Sequence, residues 1–190
     1  MPSGKPNVIF VITDEENLRG LSCYKGTVSK TPTADRMAQE GVLFENAYCS
    51  SPVCMPSRAT FMTGRWPHAH RVRSNGIRLP RNEISMPGLF RDAGYHTALC
   101  GKDHCFGYPD VLDRLFDERL LAMHFGINSP IPEGYPAEAE EARRYYQEVL
   151  RSKANIAMDQ DTIPFRPEVC DAALITDFCL DFIRNCHRDA

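Results

Sequence analysis

The sequence predicts an α/β fold in which a mixed, largely parallel sheet lies between helices. Continuous apolar runs rich in β-branched residues are typical of strands that are buried on both faces. Segments with helix start and stop signals alternate with these runs. The chain of 190 residues has 43% apolar and 25% charged residues, which is enough for one good core.

The first predicted strand is Asn7–Thr13, and acidic residues follow it directly. Asp14, Glu15 and Glu16 would lie just beyond the carboxyl end of a central strand, where open α/β sheets place their ligands. Three neighbouring carboxylates repel one another unless a cation lies between them, and a hard divalent ion is a good candidate. A solvated acidic loop is the alternative interpretation.

Two further strands are predicted, each after a helix. Thr31–Glu40 has Thr31 as N-cap, proline at the first helical position and Gly41 as stop, and Val42–Tyr48 follows as a strand. Ser85–Gly94 is the second helix, and Tyr95–Cys100 is the strand after it.

Beyond Pro109 the pattern is mainly helical. Asp110–Leu121, Pro136–Ser152 and Pro167–Cys186 have helical composition, and the last has an apolar face. The turn-rich segment 126–134 connects the first two. We expect residues 108–166 to form an insertion on the substrate side.

A turn that opens into a short helix is predicted around Cys54, with Arg58 one helical turn later and Gly64 as the stop. Ser57 is expected to help cap the first amides. The positive end of a helix and an arginine both stabilise a thiolate or a bound anion. An ordinary loop and helix with a buried thiol is the alternative.

Lys102 and His104 follow the strand Tyr95–Cys100, again just beyond a carboxyl end. Residues two apart in an extended segment point the same way, so both side chains are expected to face one site. A surface lysine and a loop histidine are the alternative.

Charge is distributed unevenly, since Asn46–Asn82 contains no Asp or Glu although the net charge is −3. This window carries Arg58, Arg65, Arg71, Arg73, Arg78, Arg81, His68 and His70. It lacks lysine and has few aromatic residues, so a nucleic-acid interface is not expected. Because it contains Cys54, it is expected to attract a small anionic substrate.

Eight cysteines are many for a cytoplasmic protein, but the sequence shows no secretory signal and no apolar run that would span a membrane. We therefore expect a cytoplasmic protein with mostly reduced thiols. Cys100, His104 and Cys105 form the nearest approach to a zinc site, although a second Cys-x-x-Cys half is missing.

Cys54-x-Pro56-x-Arg58, followed by Thr63-Gly64-Arg65, resembles the signature of the type I sulfatases of the alkaline-phosphatase-like superfamily. In that family a formylglycine-generating enzyme oxidises the cysteine to formylglycine. The resemblance is strong to about Gly107 and weaker beyond. It implies an alkaline-phosphatase-like α/β fold and an enzyme that releases sulfate from an organic sulfate ester.

The resemblance also assigns the site residues. It implies that Asp14, Glu15 and the modified residue 54 bind calcium, with Glu15 in place of the family's second aspartate. It implies that Arg58 steadies the formylglycine hydrate and that Lys102 and His104 hold sulfate and assist the leaving alcohol. Asp103 stands where the family has tryptophan, which is expected to alter the pocket wall.

The alternatives are a phosphonate monoester or phosphodiester hydrolase of the same superfamily and a catalytically inactive anion-binding homologue. In sulfatases another strand and a second half of the catalytic domain follow the last helix. We therefore expect residues 1–190 to be the N-terminal part of that domain, with further ligands beyond Ala190. Whether the ester is of a sugar, aryl or alkyl alcohol is left open, as is the oligomeric state.

Overall fold

A mixed sheet of three strands lies in the described part of the chain. β1 (Ala98–Gly101) runs parallel to β2 (Glu118–Met123), with Ala98 opposite Glu118, and β2 runs antiparallel to β3 (Gly126–Ile127). The predicted α/β class is confirmed. The computed structural model describes residues 4–14, 16–26, 28–123, 126–127, 130–145, 147–148, 168 and 170–185.

Seven α-helices are present in these ranges. They are α1 (Pro32–Glu40), α2 (Cys54–Thr63), α3 (Pro67–His70), α4 (Met86–Asp92), α5 (Pro109–Leu115), α6 (Ala137–Tyr145) and α7 (Asp171–Asn185). Within the described ranges, none has the length and apolar character that crossing a bilayer requires.

The chain divides into two compact units, residues 1–49 and 50–190. In the first unit, α1 begins after Thr31 and ends at Gly41, as predicted. The Thr31 hydroxyl accepts from the Ser22 backbone amide at 3.0 Å, and the Ser22 hydroxyl donates to the Asp35 carboxylate at 2.8 Å. These bonds hold the start of α1 against a 3₁₀ turn, Ser22–Tyr24.

The strands predicted at Asn7–Thr13 and Val42–Tyr48 are wrong, since neither segment is a strand in the structure. Their apolar side chains are exposed, with Val11 at 81% and Tyr48 at 89%. A strand needs a hydrogen-bonded neighbour, and no strand occurs among the described residues of the first unit. Apolar content alone is therefore not enough to predict a strand in these two segments.

In the second unit, α5 carries the chain from β1 to the parallel strand β2. Thr97 fixes this crossover, because its amide and hydroxyl donate to Asp117 Oδ2 at 2.8 and 3.0 Å and its carbonyl accepts from the Asp117 amide at 2.8 Å. The predicted helix Asp110–Leu121 is thus wrong in its second half, where pairing with β1 selects a strand.

Two apolar clusters fill this unit. The first packs α2 and α5 around the segment after β1, and the second packs β2 against α6 and α7. Their buried residues are Met55, Ala59, Met62, Val72, Leu79, Cys105, Phe106, Val111, Leu112, Leu115 and Phe116 in the first, and Leu120, Ala122, Ala139, Ala142 and Leu174 in the second.

The structure confirms helices within two of the later predicted segments. α6 lies inside Pro136–Ser152 and α7 inside Pro167–Cys186. Residues 146, 149–152, 167, 169 and 186 of these segments lie outside the described residues. β2 lies within residues 108–166, and the assignment of that segment to the substrate side stays a prediction.

Candidate active site around Cys54

Cys54 is the first residue of α2, as predicted. Val53 before it is extended, and Gly64 ends the helix with a left-handed φ of 66°, which glycine adopts without strain. The Cys54 side chain is half-buried. Its thiol therefore lies where the unsatisfied amides of a ten-residue helix give a positive end.

The first turn of α2 is capped from a distant part of the chain. The Met55 amide donates to Asn75 Oδ1 at 3.0 Å, so Asn75, rather than the expected Ser57, caps an amide beside Cys54. The Ser57 amide bonds to the Val53 carbonyl at 3.0 Å within the helix itself. Sequence reasoning missed Asn75, because a cap twenty residues away leaves no local signal.

Arg58 joins α2 to the segment after β1. Its side chain is buried, with the residue 8% exposed, and Nη1 donates to the Lys102 carbonyl at 2.9 Å. A buried guanidinium keeps its charge, so a fixed positive charge lies one turn from Cys54. The structure thereby connects two motifs that are 44 residues apart.

The segment after β1 is a tight loop built by Asp103. Its buried carboxylate accepts from the amides of Phe106 at 3.0 Å and Gly107 at 2.8 Å, with a longer bond of 3.4 Å from Cys105. The Asp103 side chain thus supports the loop from within. That Asp103 also alters the pocket wall stays a prediction.

The prediction of an extended segment from Lys102 to His104 is wrong, because His104 has a left-handed φ of 49°. Alternation of side chains in a strand therefore does not explain where these two residues point. Lys102 and His104 are both half-buried and lie in the loop that Arg58 and Asp103 hold.

Two half-buried hydroxyls, of Ser50 and of Thr60 in α2, and the buried imidazole of His70 form a hydrogen-bonded network. Ser50 Oγ donates to Thr60 Oγ1 at 2.9 Å, and Thr60 Oγ1 lies 3.0 Å from His70 Nε2. The Val72 amide donates to His70 Nδ1 at 3.1 Å, which assigns the ring proton to Nε2. Burial lowers the pKa of the fully buried His70, so the ring is neutral at pH 7.

The expected metal ligands are only partly described. Asp14 is an exposed residue of the first unit, and Glu15 lies outside the described residues. The part of the chain that the structure describes holds no group of three or more His, Cys, Asp or Glu side chains that fits a metal ion. The metal assignment of Asp14, Glu15 and residue 54 stays a prediction.

The residues of the alternative zinc site have other surroundings. The Cys100 thiol lies close enough to Cys179 for the two to shift each other's pKa, and Cys105 is fully buried in the first apolar cluster. Burial raises the pKa of the Cys105 thiol, which disfavours the thiolate that zinc requires. These contacts argue against a site made of Cys100, His104 and Cys105.

Arginines of the acid-free window differ in their partners. Arg65 is paired with Glu83, and Arg81 is paired with Asp110. The guanidinium of Arg78 lies 5.2 Å from the centre of the Tyr108 ring. The acid-free window thus contacts the loop that follows Lys102, through Arg78, and also carries surface charge.

The sulfatase family model matches residues 6–185. The chain belongs to the sulfatase family. The resemblance of its motifs to those of sulfatases is thus confirmed.

Relatives and solved structures agree with this assignment. The chain is 37% identical over 109 residues to N-acetylglucosamine-6-O-sulfatase of Bacteroides thetaiotaomicron, covering 57% of this chain and 20% of the relative. It matches the structure of BT4656 in complex with its substrate D-glucosamine-2-N,6-O-disulfate with 28% identity and a TM-score of 0.60, covering 76% of this chain and 32% of the other.

The crystal structure of Ps i-CgsB supports the fold. The match covers 96% of this chain and 42% of the other, with a TM-score of 0.72 at 22% identity. The chain spans about a fifth of the length of the first two curated relatives it matches.

Proposed function

We propose that this sulfatase hydrolyses sulfate esters, with Cys54 as the precursor of the nucleophile and a sulfated sugar as the substrate class. The observation that carries the proposal is the hydrogen bond from Arg58 to the Lys102 carbonyl, which ties the Cys-x-Pro-x-Arg helix to the Lys-x-His loop. The sugar class is supported by N-acetylglucosamine-6-O-sulfatase and by the disulfated glucosamine bound to BT4656.

Each residue has a role that its placement supports. The start of α2 and the buried Arg58 provide positive charge where a sulfate group would approach residue 54. Lys102 would hold a sulfate oxygen through a charge-assisted hydrogen bond. His104, in the same loop, would donate a proton to the leaving alcohol.

Cys54 suits conversion to formylglycine. It is reduced, half-buried and placed at a helix start. As an aldehyde hydrate this residue supplies a hydroxyl nucleophile and a route for sulfate release that a thiol lacks. We infer that the formylglycine-generating enzyme is the partner that carries out this conversion.

A divalent cation, in this family expected to be calcium, is the second group that we propose. Asp14 provides one oxygen ligand of the kind that calcium prefers, and Glu15 would provide another. Calcium takes 6–8 oxygen ligands, so these two residues would fill only part of its coordination shell. We therefore assign no step of the reaction to the metal.

Release of inorganic sulfate tests the proposal. The full-length protein, produced together with the formylglycine-generating enzyme, is assayed on glucosamine 6-sulfate, an aryl sulfate and an aryl phosphate diester. We expect sulfate release, fastest from the sugar sulfate, and a loss of about 10³-fold or more in Cys54→Ala, as for other removed nucleophiles.

Cys49→Ala is the matched control, because Cys49 is an exposed cysteine close in sequence and outside the proposed site. It is expected to retain activity. Sulfate release that survives in Cys54→Ala would contradict the proposal. Faster hydrolysis of the phosphate diester would favour the phosphodiesterase alternative.

A further inference from the structure

Two cysteines face each other where α7 packs on β1, away from Cys54. Cys100 is the third residue of β1, and Cys179 lies in the middle of α7. The two thiols lie close enough for each to shift the pKa of the other. Both residues are reduced and partly exposed.

Contacts on both sides fix this pairing. At one end, a Cβ atom on Gly101 would lie 3.8 Å from Ile175 Cγ2. At the other end, the rings of His96 and Phe182 stack with centroids 5.7 Å apart and planes 12° apart. Residues 175, 179 and 182 lie on one face of a helix, so Cys179 is held opposite Cys100.

The environment makes one of the two sulfurs nucleophilic. A hydrogen bond with Cys100 lowers the pKa of Cys179 to about 7. The same bond, together with burial and the negative charge of Glu118, raises the pKa of Cys100. A lowered pKa favours the thiolate of Cys179, and the thiolate is the form that attacks disulfides.

We propose that Cys100 and Cys179 form an exchange-reactive dithiol that low-molecular-weight disulfides convert into a reversible intrachain disulfide. The Cys179 thiolate attacks one sulfur of the external disulfide, and the other half leaves as a thiolate. The Cys100 sulfur, after losing its proton, then attacks Cys179 and expels the second half. The two cysteines are oxidised, and one external disulfide is reduced to two thiols.

The bond would link β1 covalently to α7. Cys100 lies two residues before Lys102, so oxidation would anchor the start of the Lys102 loop to the last described helix. The inference does not depend on sulfate hydrolysis, because no residue of the proposed active site takes part in the exchange.

The test uses the full protein incubated with oxidised glutathione, alkylated and digested with trypsin without reduction. Peptide 92–102 contains only Cys100, whereas peptide 154–184 contains both Cys170 and Cys179. We expect these two peptides to appear cross-linked, lighter by two hydrogen atoms than their sum, and to separate after reduction with a phosphine.

Two variants assign the cross-link. Cys170→Ser is expected to retain it and Cys179→Ser to abolish it, with circular dichroism checking that both fold. A cross-link that persists in Cys179→Ser would overturn the proposal. So would an oxidised wild-type protein in which Cys100 and Cys179 are both still alkylated, or in which Cys100 is joined to Cys105 in peptide 103–114.

Discussion

Arg58 Nη1 and the Lys102 carbonyl oxygen lie 2.9 Å apart, and this bond joins the helix that begins at Cys54 to the loop that contains His104. The guanidinium is buried, so the bond is shielded from water. A hydrogen bond from a charged donor in such a place stabilises a fold more than a neutral one.

Replacement of Arg58 should therefore reduce both stability and activity. We expect Arg58→Ala to lower the free energy of unfolding by about 1.5–3 kcal/mol, measured by urea denaturation. Arg58→Lys retains the charge but loses the planar donor geometry, so we expect a smaller loss of stability and still at least about a tenfold loss of kcat/KM. Arg184→Ala, which removes an exposed pair with Asp181, is the stability control. Wild-type stability and activity in Arg58→Lys would show that the bond is not needed.

Asp103 should control the loop through its carboxylate. Asp103→Ala removes the acceptor of the Phe106 and Gly107 amides, and we expect it to destabilise the fold by about 1–3 kcal/mol. Asp103→Asn keeps one acceptor oxygen and should lose less. Because the loop positions Lys102 and His104, kcat should fall in the same order. Equal effects of the two substitutions would indicate that the hydrogen bonds to the Asp103 carboxylate do not stabilise the loop.

Asn75 should stabilise α2 from outside the helix. We expect Asn75→Ala to cost about 1 kcal/mol, as loss of a helix cap usually does. Ser74→Ala, at the neighbouring exposed position, is the matched control. Asn75→Asp retains the acceptor, so its stability should stay near wild type, but a negative charge beside the start of α2 should raise KM for an anionic ester. A wild-type melting temperature in Asn75→Ala would show that Asn75 does not stabilise α2.

The helical parts of the fold were predictable because their signals are local. Thr31, Pro32 and Gly41 mark both ends of α1, and Gly64 marks the end of α2. Helix starts and stops depend on residues that are neighbours in the chain, so the sequence alone predicts them. The Cys54 motif was equally readable, since its residues lie within one helical turn.

Long-range pairing explains the failures. Val8–Ile12 has strand composition, but a strand forms only with a hydrogen-bonded neighbour. Glu118–Leu121 has helical composition, yet register with β1 makes it a strand. The bond from the Met55 amide to Asn75 spans twenty residues and leaves no local pattern. The bonds that Asp103 accepts are local, from amides three and four residues later, so a turn pattern of this kind was open to prediction from the sequence.

Acid should weaken the fold through His70. Burial lowers its pKa below the ordinary 6.5, so the folded state binds fewer protons than the unfolded state at mildly acidic pH. Stability from this group is therefore complete above about pH 6.5 and declines as the pH falls, by at most about 1.4 kcal/mol per pH unit.

Urea denaturation between pH 5 and 8 measures this dependence, and His70→Gln provides the comparison. We expect the variant to be less stable at pH 8 but to lose less stability on acidification. His68→Gln, at an exposed position of the same helix, should keep the wild-type profile. Identical slopes in wild type and His70→Gln would assign the acid sensitivity to other groups.

The mass of the tryptic peptide 37–58 tests the central claim most directly. This peptide contains Cys49 and Cys54, so the first cysteine is an internal unmodified reference. From protein produced with the formylglycine-generating enzyme, we expect fragmentation to show a thiol at residue 49 and an aldehyde at residue 54, lighter by the difference between CH2SH and CHO. A thiol at both positions, in protein that nevertheless releases sulfate, would contradict the account.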